Sequence, residues 1–174
     1  MAILKVARMG HPVLRERARP LDDAEIGSPR IQRLIDDMFE TMHDSQGIGL
    51  AGPQVHEGIR LFVAGVDDDE STMSPVVIIN PEVSQVGSAV EADWEGCLSI
   101  PDIRGRVSRA VDIRIRALDR HGKPISMTAN GFPARVIQHE TDHLNGVLFF
   151  DRMTSFESLT FLDEYSRFWS NSEE

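Results

Sequence analysis

Pro133-Ala134-Arg135-Val136-Ile137-Gln138-His139-Glu140-Thr141-Asp142-His143-Leu144-Asn145-Gly146 is the stretch that decides how this chain folds and what it holds. Proline fits the first turn of a helix and Gly146 can supply the left-handed residue that closes one, so the pattern predicts a helix from Pro133 to about Asn145. Val136, Glu140, His143 and Val147 share one side of it. A carboxylate and an imidazole lying with two valines must find partners, because burying them unpaired is costly. His139 and His143 stand at i and i+4, one turn apart, where both imidazoles can reach a single metal ion. Glu140, beside the first of them, is placed to act as a base rather than as a ligand.

A catalytic divalent ion takes three protein ligands and leaves one position for water. No histidine follows His143, so the third ligand must be of another kind. Glu157 and Glu164 lie downstream, while upstream stands Cys97, the single cysteine, whose thiolate is a soft and strong ligand. Two competing readings share the paired histidines: an endopeptidase with an acidic third ligand, and a closed four-ligand site that only braces the fold.

Working outward, Ser28-Pro29 reads as a helix start, followed by Ile31, Leu34, Ile35, Met38, Phe39 and Met42 on one helical face. Gly47 to Gln54 is glycine-rich and contains Pro53, which predicts a loop or short extended segment. Leu61–Val66 and Val76–Ile79 read as buried strands, separated by a solvated acidic run, Asp67-Asp68-Asp69-Glu70. Val111, Ile113, Ile115 and Ala117 alternate with polar residues, the period-two pattern of a half-wet strand, and Gly122 turns the chain into a second strand at Pro124–Ala129. Leu159, Leu162, Tyr165 and Trp169 are spaced as an amphipathic helix over 156–169, and the last four residues are expected to fray. No repeat or linker interrupts the 174 residues, so a single domain over 1–174 is expected, with 155–174 as a tail.

The charge balance, 18 Lys and Arg against 28 Asp and Glu, opposes non-specific attachment to nucleic acid or anionic lipid. Arg104, Arg106, Arg109, Arg114 and Arg116 lie close together and read as a solvated strand face. A lone cysteine forms no intramolecular disulfide, and neither a leader-like start nor a membrane-length apolar run is visible. A cytoplasmic location is the expectation.

Three motifs give the chain a resemblance. Glu95-Gly96-Cys97-Leu98-Ser99 and His139 to His143 match the second and third signatures of the peptide deformylases, and Gly47-Ile48-Gly49-Leu50-Ala51-Gly52-Pro53-Gln54 resembles the first. The likeness runs from Met9 to Phe149 and includes Ile100-Pro101, Arg104 and Val136-Ile137-Gln138. It implies an α+β fold in which small antiparallel sheets pack around a central helix carrying the histidines. It also implies a metallohydrolase that removes the N-formyl group from the initiator formyl-methionine of new polypeptides, releasing formate. Under the resemblance Cys97, His139 and His143 hold one divalent ion per chain, expected to be Fe2+ in cells, with Zn2+, Ni2+ or Co2+ possible in purified protein. Glu140 shuttles the proton, while the Gln54 side chain and the Leu98 backbone N–H steady the oxyanion. Gly49 and Gly96 pair with the peptide main chain, Ile48 and Val136 wall the methionine pocket, and Arg104 lies near later residues. The implied partners are N-formyl-methionyl nascent peptides and, transiently, the ribosome, with no specific nucleic-acid sequence and no membrane. Two departures stand out. Gly52 replaces the family's usual alanine and predicts a looser loop around Gln54. The acidic tail from Ser155 lacks the basic helix by which some members are thought to dock on ribosomes.

Overall fold

The computed structural model describes residues 2–65 and 73–170. The acidic run at 67–70, Val66 at the end of the expected strand and the fraying expected at 171–174 lie outside them. In chain order the elements begin with helices α1 (Asp23–Ile26) and α2 (Pro29–Asp44), then strands β1 (Gly49–Ala51), β2 (Leu61–Ala64) and β3 (Val76–Gln85). There follow β4 (Val90–Cys97), β5 (Ile100–Ala110), β6 (Asp112–Leu118), β7 (Pro124–Asn130), helix α3 (Gly131–Leu144), β8 (Thr160–Phe161) and helix α4 (Leu162–Phe168).

Helix α2 starts where the sequence predicts, with the Ser28 hydroxyl accepting the Ile31 N–H at 3.3 Å and Pro29 in the first turn. Its apolar face packs against one side of a five-stranded antiparallel sheet ordered β1-β2-β3-β6-β7. Strand β2 shows how the layers stack. Leu61 and Val63 point to the α2 cluster, whereas Phe62 and Ala64 join Val136, Ile137 and Leu144 of α3 on the other side. All four residues of β2 are buried, so the sheet lies between two helices here. Each fully buried Leu, Ile or Phe contributes roughly 1.5–3 kcal/mol.

Helix α3 begins two residues before Pro133 and ends at Leu144, followed by Gly146 with φ of +73°. It also contacts β5, so strands of two separate sheets surround it. The second sheet, ordered β4-β5-β8, is a long hairpin with a short edge strand. The α+β expectation holds, with the histidine helix central. Among the described residues no helix is long and apolar enough to cross a membrane.

Two expectations need correction. The spacing over 156–169 predicts one helix, but residues 160–161 pair with Ile103 and Arg104 of β5, and only Leu162–Phe168 is helical. A seven-residue helix is marginal by itself, and the open edge of β5 offers the preceding backbone a better set of hydrogen bonds. The arginine run is not one solvated face either. Arg106, Arg114 and Arg116 are exposed, yet Arg109 follows Gly105 and Val107 on the buried face of β5 and is 6% exposed.

Candidate metal centre and active site

Helix α3 delivers His139 and His143 with ring centroids 5.0 Å apart. Cys97 arrives at the end of β4, where the β4–β5 hairpin turns and Cys97 pairs with Ile100. Its Sγ lies 3.3 Å from Nε2 of His143, and the ligand atoms of Cys97, His139 and His143 all fall within 4.8 Å of one another. Donors bonded to one ion at about 2.0–2.3 Å in a tetrahedron sit about 3.3–3.7 Å apart, so this group fits a divalent metal. Among the described residues the group has three members, as an open catalytic site requires, where a closed structural site would have four. Glu157, exposed, and Glu164, on α4, stand outside it. Burial raises the pKa of the Cys97 thiol, but the imidazoles of His143 and His139 outweigh it and hold the group well below its ordinary value. The thiolate is the form that ligates metal.

A residue the sequence reading quoted but gave no role fixes this geometry. Glu95 Oε2 meets Nδ1 of His139 at 2.9 Å, which places the proton on Nδ1 and leaves Nε2 free as a ligand. Arg109 grips Glu95 through Nε at 2.9 Å and Nη2 at 3.0 Å, and Arg135 adds a third contact at 2.9 Å. Asp142, one residue before His143, is held by Arg109 and by Arg152. Burial raises the Glu95 pKa, but its bonds to His139 and Arg109 prevail and keep it at about 2. Period two was the available signal: Gly105, Val107 and Arg109 alternate inward, so an arginine on that face needs a buried anion.

Glu95→Gln therefore leaves Arg109 and Arg135 short of a buried counter-charge. We expect it to lower unfolding stability by about 3–5 kcal/mol in urea titration, the usual cost of breaking a buried pair. Metal affinity should fall about 10–100-fold, as for other ligand-supporting partners. A variant with wild-type midpoint and metal affinity would remove Glu95 from that role.

Glu140 is 4% exposed, and its Oε2 has no hydrogen-bond partner among the described residues. Burial pushes its pKa up to about 7 against the pull of His139 and His143. A carboxyl poised there can both take and give a proton near neutral pH. Gly49 of β1 comes so close that a Cβ at that position would stand 2.2 Å from Glu140 Oε1.

Gln54 is 1% exposed, and its orientation follows from its bonds. Oε1 accepts the Ala51 N–H at 2.8 Å, which turns Nε2 toward Ser99 Oγ at 3.2 Å and Cys97 Sγ at 3.5 Å. Gly52 has a packing reason the sequence did not suggest. A Cβ there would meet the carbonyl oxygens of Glu57 at 2.8 Å and Ile59 at 2.9 Å, so the glycine lets the turn that follows pack close against the Gln54 segment.

These groups open onto a cleft of about 560 Å³. Ile48, Gly49, Gly96, Leu98, Arg104 and Val136 all line it with Gln54, Cys97, His139 and Glu140, so the sequence-chosen site residues converge, with His143 joining through the metal group. Arg104 lies over Gly96, where an added Cβ would fall 1.9 Å from its Nη1. Trp94, Phe132 and Leu162 also line the cleft and were not foreseen. A cavity of about 570 Å³ beside Phe39 and Arg120 carries none of these groups, so chemistry and not size marks the site.

Residues 3–158 match the model of the family described as polypeptide deformylase. A peptide deformylase of Azotobacter vinelandii is 45% identical over 157 residues, spanning 90% of each chain. Peptide deformylase 2 of Pseudomonas syringae pv. tomato is 40% identical over 166 residues, spanning 92% of this chain and 93% of that one. The Met-Ala-Ser-bound crystal structure of a class I type b peptide deformylase from Acinetobacter baumannii superposes with a TM-score of 0.82 at 36% identity, covering 87% of this chain and 99% of that one. With the fold, the three-donor group and the sequence in agreement, the chain belongs to the polypeptide deformylase family, hydrolases that remove the N-formyl group from the methionine that begins new polypeptides.

Proposed function

We propose that Cys97, His139 and His143 hold the divalent ion for deformylation, and that Glu140 moves the proton. The observation that carries this reading is the buried, unpartnered Glu140 oxygen beside a three-donor group at the floor of a cleft. When bound, the ion supplies positive charge that acidifies a water and polarises the formyl oxygen. Glu140 takes a proton from the water as its oxygen bonds to the formyl carbon. As the C–N bond breaks, that proton passes to the amine nitrogen, leaving formate and a free methionyl terminus. Negative charge gathering on the formyl oxygen is met by the Gln54 Nε2–H, whose aim is fixed by the Ala51 bond, and by the Leu98 backbone N–H.

Gly49, Gly96, Ile48, Val136 and Arg104 all line the cleft, and in this reading the backbone of Gly49 and Gly96 pairs with the peptide main chain, Ile48 and Val136 wall the methionine side chain, and Arg104 lies near later residues. The Met-Ala-Ser peptide held by the Acinetobacter relative supports a peptide lying in this cleft. A thiolate with two imidazoles accepts several first-row ions, so Fe2+ is proposed for the cell, with Zn2+, Ni2+ or Co2+ as functional substitutes. The setting proposed is cytoplasmic, on nascent chains and in transient association with ribosomes, by a surface other than the acidic tail.

Anaerobic purification, metal analysis and a formate-release assay test site and reaction together. One ion per chain and formate from formyl-Met peptides alone are expected. Cleavage of internal bonds in unformylated peptides would overturn the reading in favour of an endopeptidase.

A further inference from the structure

Helix α3 meets its two neighbours in different ways. Ala134, Ile137 and Leu144 share an apolar cluster with Phe62, Ile78 and Ile115 of the five-stranded sheet, and such contact is non-directional. Toward the β4–β5 hairpin the helix presents Arg135, Gln138, His139 and Asp142, an i, i+3, i+4, i+7 stripe that is polar at every position.

Each member of the stripe is hydrogen-bonded to the hairpin. Arg135 donates to the carbonyl oxygens of Val107 at 2.7 Å and Glu91 at 2.8 Å as well as to the Glu95 carboxylate. His139 meets Glu95 of β4, and Asp142 accepts from Arg109 of β5. Gln138 takes the last residue of β5: its Oε1 accepts the Ala110 N–H at 3.1 Å and its Nε2 donates to the Ala110 carbonyl at 2.9 Å. A side chain thus makes with Ala110 the pair of bonds that a neighbouring strand would make. Nε2 also donates to the Ala134 carbonyl at 3.0 Å, so both amide hydrogens are engaged and the side chain is fixed.

The first strand of this hairpin ends at Cys97, whereas both imidazoles ride on α3. Hydrogen bonds are directional, so the stripe sets the height and rotation of α3 against the hairpin, and with them the 3.3 Å approach of Cys97 Sγ to His143 Nε2. Arg135 and Asp142 carry buried charge, whose removal would strand a partner and endanger the fold. Gln138 is neutral, and its loss unpairs no charge.

Resting on the reading that Cys97, His139 and His143 hold one ion, we propose that Gln138 is a positioning residue for that group, acting through Ala110 to keep the thiolate and the imidazoles at ligating distance.

The test uses the full-length protein loaded with Co2+, whose d–d bands report coordination geometry and whose sulfur-to-cobalt band reports the thiolate. Gln138→Leu, similar in bulk but without all three bonds, should weaken Co2+ binding in chelator competition about 10–100-fold, as loss of other ligand-supporting partners does, and should alter both sets of bands. Gln138→Glu, which can still accept the Ala110 N–H but cannot donate to its carbonyl, should fall between that variant and the wild type. A glutamine that only stabilised the fold would lower the melting temperature and move no band. Wild-type affinity and spectrum in whichever variant folds overturn the proposal. So does failure of both to fold, since Gln138 would then brace the whole domain. A wild type that binds no Co2+, or shows no sulfur-to-cobalt band, overturns the ion reading itself, and the proposal falls with it.

Discussion

Glu140→Ala should lower kcat for formate release about 10²–10⁴-fold, the usual contribution of a positioned acid–base group, while the protein keeps its ion. Its donor atoms are not among the three that cluster, so truncation leaves Cys97, His139 and His143 in place. What disappears is a carboxyl whose pKa burial has pushed up to about 7 and whose Oε2 is free of competing bonds. Water alone would then have to lose its proton to bulk solvent. Folding should be unharmed, because removing a buried group with an unpartnered oxygen also removes a desolvation cost. Glu140→Gln, which preserves volume against Gly49, should show the same loss and so exclude local collapse as its cause. Single-turnover formate release with metal analysis on the same samples is the measurement. A variant that retains most of the wild-type rate would end the proton-shuttle role.

Cys97→Ala should abolish stable metal binding, reducing metal content to about a tenth of an ion per chain or less after desalting. Formate release should vanish with it. Structural zinc sites with a full ligand set hold their ion with about 10–16 kcal/mol, so one donor of three represents several kcal/mol, or about 10³-fold or more in affinity. The loss goes beyond a bond count. The neighbouring imidazoles hold the Cys97 thiol well below its ordinary pKa, so the wild-type site offers an anion where the variant offers only a methyl group. Elemental analysis decides the matter, and unchanged stoichiometry would take the sulfur out of the site.

Much of this was legible in the sequence where local periodicity carried it. Helix α2 announces itself through Ser28, Pro29 and its apolar face, the β6–β7 hairpin through alternation around Gly122, and His139 and His143 through their i,i+4 spacing. Cys97 was different, since nothing local ties it to the histidines and only its motif, or the fold, brings them together. The β4–β5 hairpin escaped because its inward face is partly charged. Glu95 and Arg109 satisfy each other across the strands, and such a pair reads as surface until the partner is known. The tail misled for the opposite reason: its spacing was helical, but the exposed edge of β5 captured its first part.

The double-sided burial of β2 has a practical outcome. Small zinc modules come apart when stripped, because the ion is most of their core. Here the histidine helix rests on a packed hydrocarbon layer along one flank and on a lattice of arginines and carboxylates along another. A chelated chain is therefore expected to keep its fold, which circular dichroism before and after chelation checks, so that different ions can be loaded into the same scaffold and their chemistry compared.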